Sequence, residues 1–185
     1  ELTRNGRVVD YYNTVTGSHP DSRETLAGRT QIRWTPSDRL DLTFTAGADR
    51  FDDGALVARP LDQSGGFYDL HQDYDGYNHQ NSQTYSCRAA WTGDQVRVVN
   101  VVAYRDWQQD LTGDFDFSPY PVLVGFDHPD FSQWSEEIRV ESVLEDANVK
   151  WSMGAFVAGR DVNRDNGYTY GSFAGPIAGA TDNRH

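Results

Sequence analysis

The densest set of side chains able to do chemistry lies between residues 68 and 79, where Tyr68, His71, Asp73, Asp75, Tyr77 and His79 fall close together. Aromatic rings at this density can stack on a ligand, and imidazole or carboxylate groups can approach a metal chelate. The same residues also suit a solvated loop, because loops are polar whether or not they bind anything. Asp73-Tyr74-Asp75-Gly76 hints at a calcium loop, but the remaining oxygen donors and the spaced Glu of such a loop are absent. No metal ligand set is assigned on the sequence.

A second set is cationic. Arg29, Arg33, Arg88 and Arg139, with Glu137 and Glu141, stand at positions that place them on the polar sides of alternating segments. They could guide an anionic ligand, grip a neighbouring domain, or simply form a ladder of cross-strand pairs. Glu136-Glu137 raises the question of carboxylate-pair hydrolysis. Nothing separates these two acids from the general acidity, and no Ser/His/Asp or phosphate-loop motif accompanies them. The sequence therefore predicts no catalytic residue and no cofactor. Cys87 is the one cysteine; it alternates with Tyr85, Ala89 and Trp91 and reads as a small apolar side chain.

The 185 residues carry 16 Lys+Arg against 28 Asp+Glu, a formal charge of -12. That balance argues against a nucleic-acid partner, since phosphate binding needs a basic surface. No run approaches the roughly 18 apolar residues of a membrane helix. A membrane barrel remains open, because its strands are apolar on one face only.

The elements that must carry these side chains are strands. β-branched and aromatic residues fall in short alternating runs, in three pairs: 26–34 with 40–48, 85–91 with 96–107, and 131–141 with 149–157. Short turns join each pair, at Pro36-Ser37-Asp38-Arg39, at Thr92-Gly93-Asp94 and across 142–148. Between the pairs lie stretches rich in Gly, Asp, Asn, Tyr and Pro, at 51–83, 108–130 and 161–185. Alternation of short turns and long loops is the asymmetry of transmembrane barrels. In the run 96–106 the alternation fails: Arg97 on the polar side puts Asn100 on the apolar side and Val99 and Val101 on the polar one. A β-bulge, or something filling the barrel, would account for it.

Trp34, Trp91, Trp107, Trp134 and Trp151 all sit at the ends of the predicted runs. Rings with a polar N–H collect in girdles at the two membrane interfaces, and a soluble sandwich would bury at least one Trp mid-core. The sequence thus predicts an all-β antiparallel meander of six strands, plus a trace of a seventh at residues 2–4.

Several segments resemble TonB-dependent outer-membrane receptors. They are the strand–turn–strand Arg29-Thr30-Gln31-Ile32-Arg33-Trp34-Thr35-Pro36-Ser37-Asp38-Arg39-Leu40-Asp41-Leu42, then Ala103-Tyr104-Arg105-Asp106-Trp107, Glu136-Glu137-Ile138-Arg139-Val140-Glu141-Ser142 and Trp151-Ser152-Met153-Gly154-Ala155-Phe156. Residues 6–17, ending Asn13-Thr14-Val15-Thr16-Gly17, resemble an outer loop of these receptors. The resemblance implies that residues 1–185 are part of a 22-stranded-type barrel in a Gram-negative outer membrane, without its plug and remaining strands. It further implies contact with outer-membrane lipid and lipopolysaccharide, coupling to the TonB complex through the absent plug, and uptake of a small molecule such as a ferric siderophore. A passive porin and a soluble carbohydrate-binding sandwich are the competing readings; two packed sheets would be the mark of the second.

Overall fold

The computed structural model describes residues 2–3, 9–144 and 149–172, the first two by backbone alone. Nine strands are present: β1 Leu2–Thr3, β2 Tyr12–Asn13, β3 Arg23–Ser37, β4 Leu40–Asp53, β5 Asp69–Leu70, β6 Tyr77–Thr92, β7 Val96–Asp114, β8 Leu123–Ser142 and β9 Ser152–Tyr170. Seven of them form one antiparallel sheet in the order β1-β3-β4-β6-β7-β8-β9, and β2 and β5 pair parallel with each other. Among the described residues no helix is long and apolar enough to cross a membrane. The sheet does not close on itself: β1 and β9 are its two edges. Among the described residues the other sheet is only the two-stranded β2–β5 pair, too small to form the second layer of a sandwich, so the sandwich expectation fails.

Each predicted hairpin is present, and its turn chemistry explains it. The β3–β4 register slips between Trp34 and Ser37, where Pro36 has no N–H to give the ladder and a bulge absorbs the extra residue. Gly93 closes the β6–β7 turn, its N–H donating to the Val96 carbonyl at 2.8 Å. Trp151 lies just before β9 rather than inside it, its carbonyl accepting from the Ser142 N–H at 2.9 Å.

The loop ends differ from expectation. β6 begins at Tyr77, β7 runs to Asp114, β8 starts at Leu123 and β9 continues to Tyr170. The predicted loops therefore shrink to 54–76 and 115–122, and 161–170 is strand. Residues 6–8 of the predicted outer loop, 145–148 of the third turn and 173–185 lie outside the described residues. A membrane-crossing strand needs only ~9–11 residues, whereas β7 has 19 and β8 has 20. β7 and β8 are thus about twice as long as a membrane crossing requires.

Continuous registers fix which side chains share a face. One face carries the rows Leu40–Trp91–Val98–Val140–Met153, Trp34–Leu42–Ala89–Asn100–Ile138–Ala155, Ile32–Phe44–Cys87–Val102–Glu136–Val157 and Thr30–Ala46–Tyr85–Tyr104–Trp134–Gly159. Apart from Thr30 at its edge, it is apolar except for Asn100 and Glu136, whose side chains bond each other (Nδ2 to Oε1, 2.9 Å). From the level of Val96 to that of Tyr104 the belt rises roughly 20 Å, for strands climbing ~3.3 Å per residue at a tilt of about 40°. The belt is bare: Ile32, Trp34, Phe44, Tyr104, Ile138 and Val157 are all exposed.

The bulge expected in β7 is absent, since its registers with β6 and β8 run unbroken through residues 96–108. Val99 instead lies on the polar face at 3% exposure, between its ladder partners Ala90 and Arg139. Trp107 is a second correction. It shares a row with Ser82, Phe131 and Val162 on the polar face, opposite Trp34, Trp91 and Trp134, so it does not belong to their girdle.

Candidate functional site

All six predicted polar-face residues share the face opposite the apolar belt: Arg29, Arg33, Arg88, Glu137, Arg139 and Glu141. The ladder of ion pairs expected among them is sparse. Arg33 Nε donates to Asp41 at 2.9 Å, and Arg97 meets its cross-strand partner Glu141 at 3.4 Å. Arg29, Arg88 and Arg139 have no carboxylate partner among the described residues.

The registers also bring Arg29 together with residues that the sequence analysis did not select. Arg29, Gly47, Thr84, Arg105, Gln133 and Arg160 form one row across the polar face. The next row toward the loop end holds Trp107, Phe131 and Val162, and beyond it Arg164 clamps Asp127 at 2.6 and 2.7 Å. Three guanidinium groups without a carboxylate partner among the described residues, beneath an aromatic shelf, suit an anionic ligand carrying rings. No periodicity could have revealed the row, because it exists only once five registers are known.

The predicted loop cluster is divided. Tyr68 packs edge-on to Tyr11 and Phe67, at 5.6 and 5.1 Å between ring centroids. His71 stays in the 54–76 connection. Tyr77 and His79 lie in β6, not in a loop, and on the apolar-belt face rather than the arginine face. Their rings stack at 4.5 Å, the Tyr77 hydroxyl donates to Asp110 at 3.3 Å, and His79 stands opposite Asp52. With Asp75, these two line an open cleft of about 530 Å³ beside His19, Arg23 and Asp52. Tyr68, His71 and Asp73 do not line it.

Asp75 serves the fold. Its Oδ1 accepts from Asn13 Nδ2 and Thr16 Oγ1, both at 2.8 Å. Asn13, fully buried, also donates to the Gln72 carbonyl at 2.8 Å and accepts from the N–H groups of Val15 and Gln72. This side chain joins the 9–22 segment to the 54–76 connection, next to the β2–β5 pair and buried Leu70. Gly76 ends the connection with φ +65°, where a Cβ would lie 2.2 Å from the Thr112 carbonyl oxygen, so only glycine passes here. Asn13→Ala leaves four polar groups short of a partner. Local opening should become easier by about 1–3 kcal/mol, read as at least tenfold faster amide exchange in residues 12–18 and 68–75.

Asp73 turns away from Asp75 and joins residues from another hairpin. One carboxylate oxygen from each of Asp73, Asp114 and Asp116 lies within 4.8 Å of the others. Burial, opposed by the Phe117 N–H bond and reinforced by Asp116 and Asp73, pushes the Asp114 carboxyl up to about 6. Burial and the Asp116 charge raise Asp73 in the same direction. All three stand at the loop end, beyond the Tyr85–Tyr104–Trp134 row.

No family model matches the chain. Among solved structures it is similar to the ferric yersiniabactin uptake receptor FyuA of Yersinia pestis, with a TM-score of 0.68 and 18% identity. The match takes in 87% of this chain and 25% of that one. The likeness establishes the architecture: an open antiparallel arc with the fold of part of a receptor β-barrel.

Proposed function

We propose that this chain is a segment of the barrel of a TonB-dependent outer-membrane receptor that takes up a ferric siderophore. The observation that carries the reading is the single-layer sheet with one bare apolar face, bounded by Trp34 and Trp91 at the turn end and by Tyr85, Tyr104 and Trp134 nearer the loops. An apolar area of this extent on a folded protein needs lipid or protein against it, and the aromatic rows lie where girdles would meet the two interfaces. Outer-membrane lipid covers the belt, and lipopolysaccharide surrounds the strand ends above it. The open edges at β1 and β9 pair with further strands, because unpaired backbone is not tolerated in lipid. A plug outside this chain couples the barrel to the TonB complex.

The arginine row and the Trp107–Phe131 shelf then face the lumen and receive the anionic chelate. Quenching of Trp fluorescence by a ferric siderophore, in the detergent-purified protein, tests the assignment. Arg105→Ala and Arg160→Ala should each weaken binding by about tenfold, a loss of about 1.4 kcal/mol. Thr45→Ala, on the same face but nearer the turns, should leave it unchanged. Uptake by whole cells should stop when the proton gradient is collapsed; uptake that persists would make the barrel a passive pore. A protein that stays soluble and folded without detergent would sink the membrane reading altogether.

A further inference from the structure

The acidic trio at the loop end has a feature that general acidity does not explain. Asp114 is 1% exposed. Its Oδ1 accepts from the N–H groups of Asp116 and Phe117 at 3.0 and 2.8 Å. Its Oδ2 is fully enclosed and has no hydrogen-bond partner. Enclosed carboxylate oxygens are rarely left without a donor or a cation, because an orphaned acceptor carries its full desolvation cost. No lysine, arginine or histidine pairs with Asp73, Asp114 or Asp116 among the described residues.

Asp116 is held from both sides, Oδ1 by the Ser118 N–H at 3.2 Å and Oδ2 by the Leu123 N–H at 2.7 Å. Asp73 is held by its backbone, whose N–H donates to the Ser118 carbonyl at 3.1 Å. The three carboxylates come from two connections, 54–76 and the end of β7 with 115–122, and the fold keeps them together despite their mutual repulsion. A set made only of oxygen donors selects a hard divalent cation rather than zinc or copper.

We propose that Asp73, Asp114 and Asp116 bind a calcium ion that fastens the 115–122 connection to the 54–76 connection at the outer rim. The ion supplies the enclosed Asp114 oxygen with its partner and neutralises most of the trio's charge; water and backbone carbonyls complete its shell. The site is separate from the arginine row and does not depend on what the barrel transports.

The test is calcium titration of the detergent-purified protein by calorimetry, with amide exchange of residues 114–123 followed in chelator and in about 10 mM calcium, roughly tenfold above the weakest extracellular-type sites. The expected result is one binding event and at least tenfold slower exchange across 114–123 with calcium. Asp114→Asn keeps the Oδ1 acceptor but loses the charge, and should abolish both effects. Asp73→Asn, in the connection and away from the β7 ladder, should weaken binding by tenfold or more even if the Asp114 variant does not fold. Absence of binding heat in the unaltered protein overturns the assignment. So does a calcium response that survives in Asp73→Asn, or equal protection by magnesium at the same concentration.

Discussion

Phe44→Arg is expected to destabilise the folded barrel by about 2–4 kcal/mol, while Thr45→Arg, its neighbour in sequence, should change stability by no more than about 0.5 kcal/mol. Phe44 lies in the Ile32–Phe44–Cys87–Val102–Glu136–Val157 row, midway up the apolar belt. On the proposed membrane reading, a guanidinium there meets hydrocarbon at its greatest depth. Thr45 stands one residue on, in the row Gln31–Thr45–Ser86–Ala103–Ser135–Ala158 on the polar face. An arginine there joins a surface that already carries several. Reversible urea unfolding of the protein in lipid vesicles gives both values. The comparison isolates facing from chemistry, since the same side chain is added at adjacent positions. Equal costs at the two sites would mean that the belt is not against lipid, and the membrane reading would fall with them.

The turn half of each hairpin was legible in the sequence because two independent signals coincide there. Apolar residues alternate with polar ones through the belt, as in Leu40, Leu42 and Phe44 against Asp41 and Thr43. The intervening Pro36 and Gly93 carry turn chemistry of their own. The loop half was not legible, because its strands keep no clean alternation: Trp107, Phe131 and Val162 share the face of the arginine row, while polar residues occupy much of both faces. Asn78-His79-Gln80-Asn81 has no apolar period, yet it is strand, held by ladder pairing to Gln108, Gln109, Asp110 and Leu111. Period-2 patterns report a buried face, and where neither face is buried the pattern vanishes while the backbone pairing continues.

The same limit explains the errors in the site. Trp107 lies close to Tyr104 in sequence, but an odd separation along a strand puts it on the other face, and only the register decides which face carries the apolar belt. The arginine row joins positions as distant as Arg29 and Arg160. The acidic trio joins Asp73 to Asp114 across two strands. Neither has a local signature. Asp114-Phe115-Asp116 falls inside the predicted 108–130 loop, but nothing in the sequence says that Asp114 is enclosed there.

Asn100 and Glu136 are where alternation and structure disagree most, and they yield the second large prediction. The sequence alone leaves two accounts, inward valines that meet something filling the barrel or a bulge that turns Asn100 off the apolar face. The unbroken register keeps it there, beside Glu136 in the middle of the belt, with the amide bonded to the carboxylate at 2.9 Å and to the Glu137 carbonyl at 3.3 Å. On the proposed membrane reading, polar groups at this depth have no water to turn to, so each is the other's main partner. Asn100→Leu should therefore cost about 1–3 kcal/mol, because it strands the Glu136 carboxylate on the apolar face. Adding Glu136→Leu should recover that loss and raise stability about 1–3 kcal/mol above the unaltered protein, since a paired charge in an apolar setting still bears most of its desolvation penalty. The same vesicle unfolding assay supplies the four values of a double-mutant cycle, with an expected coupling of at least 1 kcal/mol. Losses that simply add would show the two side chains to be independently solvated, above the bilayer or in contact with water. A double variant less stable than the original would instead mean that the pair docks against protein, and that this part of the belt is an interface rather than a lipid surface.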